Sequence, residues 1–94
     1  MTLPYRTKLA EYQQKAEQSL ADHRPDEASA YCQRILRIDP ENADGHLLLG
    51  MALLAQRRVR PAITALQHAS DIAPRRTDIS AQLARALSLS QQKA

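Results

Sequence analysis

Between Tyr5 and Ala21 the apolar residues Leu9, Tyr12, Ala16 and Leu20 recur every three or four positions, with Lys8, Glu11, Lys15 and Gln18 outside that row. Such spacing predicts one amphipathic helix, with Pro4 tolerated near its first turn, where a missing N–H is harmless. Asp22-His23-Arg24-Pro25 breaks the row, and Pro25 can open a second helix whose first turn carries Asp26 and Glu27, where the helix dipole favours negative charge. Ala28, Tyr31, Cys32, Ile35 and Leu36 form its apolar face, and Asp39-Pro40 ends it, because proline disfavours helical geometry in the residue before it.

Asn42 is a plausible cap for a third helix reaching Ala55. Here Leu47, Leu48, Leu49, Met51, Leu53 and Leu54 are apolar on more than one face, so this helix is either buried on both sides or presents an apolar surface to a partner. Gln56-Arg57-Arg58 makes the next turn, and Pro61 falls in the first turn of a fourth helix bearing Ala62, Ile63, Ala65, Leu66, Ala69 and Ile72, which stops at Pro74. Thr77 is expected to cap a fifth helix, with Ile79, Leu83, Ala84, Ala86 and Leu87 inward and Asp78, Gln82, Arg85 and Ser88 outward. The polar tail Ser90–Ala94 is expected to fray, and no strand pattern occurs.

Composition narrows the class further. The chain of 94 residues has no Trp, no Phe and three Tyr, so its core must be built from Leu, Ile and Ala, which suits close helix packing. The lone Cys32 excludes an internal disulfide and a cysteine-based zinc knuckle. No apolar run matches a signal peptide or a membrane span, so a cytoplasmic setting is expected, with Met1 as a native start. The net charge of +3 is uneven. Residues 1–47 hold six Lys/Arg against eight Asp/Glu, and residues 48–94 hold seven against two. That distribution describes an ordinary solvated surface or a dipolar module suited to an acidic partner or a second copy of itself.

A longer period underlies the helices. Ala28 and Ala62, Ile38 and Ile72, and Pro40 and Pro74 lie 34 residues apart, and Ala16, Gly50 and Ala84 repeat the interval twice. Leu49 and Leu83, then Leu53 and Leu87, carry it into the fifth helix, and seven residues are identical between 9–42 and 43–76. Two helices per 34 residues resemble the tetratricopeptide repeat. The second unit places His46, Leu49-Gly50, Leu53, Ala62, Leu66, Ala69 and Pro74 at the signature positions. The first matches at Tyr12, Ala16, Ala28, Cys32 and Pro40, but Lys15 and Ser19 replace expected apolar residues.

The resemblance implies an all-α fold, a short right-handed α-solenoid of two repeats and a C-terminal capping helix, five helices in all. Residues 1–8 extend helix one, 9–42 and 43–76 are the repeats, and 77–94 are the cap and tail. A two-helix unit cannot bury its own apolar face and needs a stacked neighbour. The family often has Gly in the turn between paired helices; His23 and Arg57 stand there instead. If a left-handed conformation is required, His tolerates it better than Arg, so strain or an altered turn is expected.

Catalysis is not expected. His23, His46, His68 and Cys32 have no metal-ligand spacing, Cys32 sits at a packing position, and no phosphate loop, nucleophile elbow or recurring acid/base pair occurs. Neither a metal nor a cofactor is implied. Nucleic-acid binding would rest on Arg57, Arg58, Arg60, Arg75, Arg76 and Arg85, which have no interleaved aromatic to stack a base, and it is disfavoured.

The resemblance points instead to a protein or peptide partner held in the concave groove formed by the first helix of each repeat. Carried over by position, that surface has Gln13, Glu17 and Leu20, then Asp44, Leu47, Leu48, Met51 and Leu54, then Asp78, Ala81, Gln82 and Arg85. An apolar strip between polar ends suits an apolar or amphipathic segment. Repeats that grip the acidic C-termini of heat-shock chaperones need Lys, Asn, Asn, Lys and Arg, where this chain has Gln13, Glu17, Leu48, Asp78 and Gln82. None matches, and Glu17 and Asp78 have the wrong charge. The rival expectations are self-association of an incomplete solenoid and an N-terminal targeting module of a larger, bacterial-type enzyme.

Overall fold

A computed structural model describes residues 4–92, with side chains from residue 7 onward. Five helices follow one another: α1 (Pro4–Ala21), α2 (Pro25–Ile38), α3 (Ala43–Ala55), α4 (Val59–Ile72) and α5 (Thr77–Gln91). Among the described residues there is no strand. Each helix packs on its neighbour in sequence, and α3 also touches α1 and α5, so every other helix rests on it. The result is an elongated stack of 53 × 28 × 19 Å. Helix α5 runs into the polar tail as far as Gln91; Lys93 and Ala94 lie outside the described residues, as does Met1.

Local chemistry explains the boundaries. Pro25 occupies the first position of α2, and Asp26 and Glu27 fill its first turn. Asn42 caps α3 by accepting a hydrogen bond from the Gly45 N–H at 2.8 Å, satisfying one of the orphan donors of a helix start. Arg76, not Thr77, stands at the N-cap of α5, and Thr77 is already its first helical residue. The Arg76 side chain does not cap the backbone; Asp78 Oδ1 accepts from the Ile79 N–H at 2.9 Å, and Arg76 turns its guanidinium towards Asp44 and Asp78.

The α1–α2 and α3–α4 turns are built alike. His23 (φ 61°) and Arg57 (φ 64°) adopt the left-handed conformation. Arg24 N–H donates to Ser19 C=O at 2.8 Å and His23 N–H to Leu20 C=O at 3.1 Å; the second turn repeats this with Arg58 to Leu53 at 2.9 Å and Arg57 to Leu54 at 3.0 Å. These paired bonds are the Schellman closure of a helix, normally completed by glycine. The turn keeps its geometry, and the two non-glycine residues bear the strain.

The core divides in two along α3. Ala16, Cys32 and Leu48 form one buried cluster between α1, α2 and α3. Leu47, Leu53, Leu54, Ala62, Ala65, Leu66, Ala69, Ile79 and Ala86 form the other, with α4 and α5. Leu49 and Met51 pack against both. Helix approach is close where glycine removes bulk. A Cβ on Gly50 would lie 2.5 Å from Leu66 Cγ, and one on Gly45 would lie 2.9 Å from Ile35 Cγ2. Ser19, out of place on an apolar row, is buried with its hydroxyl donating to Lys15 C=O at 2.8 Å. That bond removes the cost of an unpaired buried hydroxyl.

Helix α5 departs from expectation on one side. Ile79 and Ala86 are buried, but Ala84 is exposed and Leu87 is 42% exposed. These two residues sit one period beyond Gly50 and Leu53, whose row on α3 is covered by α4. Among the described residues nothing covers the corresponding row of α5.

Candidate functional site

The concave side of the stack contains a cavity of about 530 Å³ between α1, α3 and α5. Its apolar wall comes from Leu20, Ala21, Leu47, Leu48 and Met51, and its polar rim from Glu17, Asp44, Arg76, Asp78 and Gln82. Eight of the twelve groove residues expected from sequence therefore line it: Glu17, Leu20, Asp44, Leu47, Leu48, Met51, Asp78 and Gln82. Gln13, Leu54, Ala81 and Arg85 do not. Each lies about one helical turn from a residue that does, so the cavity spans only the central turns of the expected row. Leu54 is instead part of the buried α3–α4–α5 cluster, at 9% exposure.

The structure also separates two roles that share one helix. Consecutive residues of α3 point about 100° apart, which sends Leu47 into the C-terminal cluster and Leu48 into the N-terminal one. Both are nearly closed to solvent, at 7% and 6% exposure. Met51 is only half-buried and touches both clusters as well as the cavity. Leu47 and Leu48 chiefly hold the stack, whereas the unbranched Met51 keeps part of its surface on the cavity.

Ala21 and Arg76 line the cavity but were left out of the groove by sequence reasoning, and Arg76 is the one that carries a charge. Its Nη1 is 2.8 Å from Asp44 Oδ1, its Nη2 2.7 Å from Asp78 Oδ2, and its Nε donates to Asp78 Oδ1 at 3.2 Å. The bidentate hold on Asp78 and the bridge to Asp44 tie the start of α5 to the start of α3. Arg76's hydrogen bond keeps the Asp78 carboxyl below the ordinary range. One signal was available in the sequence: Arg76 lies one 34-residue period after Asn42, the cap of α3. It marks a helix start but gives no indication of the partner on α3.

The remaining candidates lie elsewhere. Burial pushes the Cys32 thiol up to about 12, so it stays protonated and packs as a small apolar group. His46 Nε2 lies 2.8 Å from Pro40 O, and its ring meets His68 edge-on at 5.1 Å. Among the described residues no group of three or more His, Cys, Asp or Glu side chains could hold a metal ion. Arg57 and Arg60 border a different cavity, beside Val59 and Leu89, so the arginines do not converge on one surface with Arg76. No described helix is long and apolar enough to cross a membrane.

Paired helices joined by identical turns, with small residues at the crossings and a shared concave side, define a short all-α helical-repeat solenoid. A family model of the tetratricopeptide repeat matches residues 19–87, and the chain belongs to that family. No curated protein matches the chain. Repeats of this family generally mediate protein–protein interaction and are typically non-catalytic.

Proposed function

We propose that this chain is a non-catalytic adaptor that docks a short amphipathic segment of another protein in the concave groove centred on Met51. The observation that carries the reading is the division of α3. Leu47 and Leu48 are consumed by the core, whereas Met51 and the half-buried Leu20 leave apolar surface on a cavity of about 530 Å³. Such a volume falls within the range of ligand clefts, and a polar rim around an apolar floor is the usual anatomy of a docking surface. Three stacked layers, α1, α3 and α5, hold the walls in place, so little ordering would be lost on binding.

The test uses peptides selected from a random display library on the intact chain. Met51→Glu is expected to abolish their binding at unchanged far-UV helicity. Undiminished affinity in a folded Met51→Glu variant would move the binding surface away from the groove.

A further inference from the structure

We infer that the segment accepted by this groove is basic as well as apolar, with a Lys or Arg beside its apolar anchor; the inference rests on the groove reading above and specifies its chemistry. The argument is an inventory of what the rim offers. Glu17, Asp44 and Asp78 contribute carboxylates from three different helices, against the single guanidinium of Arg76. Three negative charges and one positive leave the rim at −2, inside a chain whose net charge is +3.

The one cation is already engaged. All three of its guanidinium nitrogens face carboxylate oxygens, two on Asp78 and one on Asp44. A carboxylate on the partner would have to displace one of these bonds and then lie beside the carboxylate it displaced. Glu17, on the opposite wall, makes no ion pair among the described residues. It is exposed, so a partner cation can reach it without first breaking a contact.

Gln82 also lines the groove, and its Oε1 atom has no hydrogen-bond partner. An amide oxygen can only accept, and because this atom is closed to solvent, a partner N–H reaches it only when the half-buried side chain turns outward. The choice of sign is carried by the carboxylates: they ring an apolar floor, and a positively charged segment complements them. The exposed carboxylates act through solvent and are screened by salt, so they bias the choice of partner while apolar contact supplies the anchor.

The same random display library, panned on the intact chain and counter-selected on Met51→Glu, reads the chemistry directly. The expected outcome is a Met51-dependent set in which Lys and Arg exceed Asp and Glu next to a Leu, Ile or Met. Synthetic peptides from that set should bind Glu17→Arg about fivefold more weakly at low salt, with the difference shrinking at high salt. Glu17 is exposed, so this variant is expected to fold even if Met51→Glu does not. A Met51-dependent set that is neutral or acidic overturns the inference and leaves the groove reading standing. Equal affinity for Glu17→Arg at low salt also overturns it. A library with no Met51-dependent binders overturns both readings.

Discussion

The two complete helix pairs, α1–α2 and α3–α4, solve the same packing problem with different side chains. One period apart, Ala16 corresponds to Gly50 and Cys32 to Leu66. In the second pair the missing Cβ of Gly50 makes room for the fully buried Leu66. In the first, Ala16 has its Cβ, and the facing position holds the much shorter Cys32; both are fully buried. Between the pairs a larger residue on one helix goes with a smaller one on the other, and neither identity is kept. Interiors pack close to crystal density, so a gain on one helix must be offset on the other. The signature of a repeat is therefore a constraint on pairs of positions, which explains why the first unit matches it so loosely and still folds into the same shape.

If that is correct, truncation should affect the pairs very unequally. Leu66→Ala removes a large side chain from the centre of the bigger cluster and is expected to cost roughly 2–5 kcal/mol, by lost burial and by the cavity left behind. Cys32→Ala removes one heavy atom and should cost about 1 kcal/mol. Urea unfolding followed by circular dichroism measures both. For a domain of this size the larger loss approaches the whole stability, so Leu66→Ala is expected to lower the midpoint sharply or abolish the cooperative transition. Equal midpoints for the two variants would contradict the division of labour drawn above.

The next effect tests compensation itself. Gly50→Ala gains about 1 kcal/mol of helix propensity, but its new Cβ would meet Leu66 Cγ at 2.5 Å and Cδ2 at 2.7 Å. Leu66 is closed in on all sides, so it has no free end to swing away, and overpacking of this kind costs about 1–3 kcal/mol. The expected net is a loss of about 1 kcal/mol. Adding Leu66→Cys to Gly50→Ala copies the first pair into the second. Stability measured around that double-mutant cycle should show favourable coupling of at least about 0.5 kcal/mol. Simple additivity would mean that the two positions do not share one volume.

Much of this architecture was legible beforehand because its signals are local. Pro25, Pro40 and Pro74 punctuate the chain, Asn42 caps where a polar residue precedes an apolar run, and the 34-residue interval sets the stacking. The failures arise where the decisive partner is distant. Thr77 looked like the cap of α5 by type, but the N-cap is Arg76, whose ligand Asp44 belongs to another helix. Ala84 and Leu87 continue an apolar row that periodicity assigns inward, yet α5 has no further helix beside it among the described residues. The expected row on each first helix also runs on past the cavity, which Gln13, Leu54, Ala81 and Arg85 do not line. Sequence could not apportion Leu47 and Leu48 either, because α3 is apolar all round and periodicity assigns no side to a helix without a polar face.

The smallest effect concerns the turns, where the pairs agree in backbone and differ in strain. A left-handed residue other than glycine costs roughly 1–2 kcal/mol, and histidine visits that region more readily than most residues, arginine less so. Both His23 and Arg57 are exposed, so little packing is lost on replacing them. Arg57→Gly should therefore stabilise the chain by about 1 kcal/mol, net of the extra freedom glycine has in the unfolded state, and raise the melting temperature by about 4–8 °C. The gain for His23→Gly should be clearly smaller. Arg57→Ala is the control: it removes the same charge and side chain but keeps the Cβ that makes the conformation costly. A melting temperature for Arg57→Ala equal to that of Arg57→Gly would show that charge repulsion among Arg57, Arg58 and Arg60, and not the backbone, is what burdens this turn.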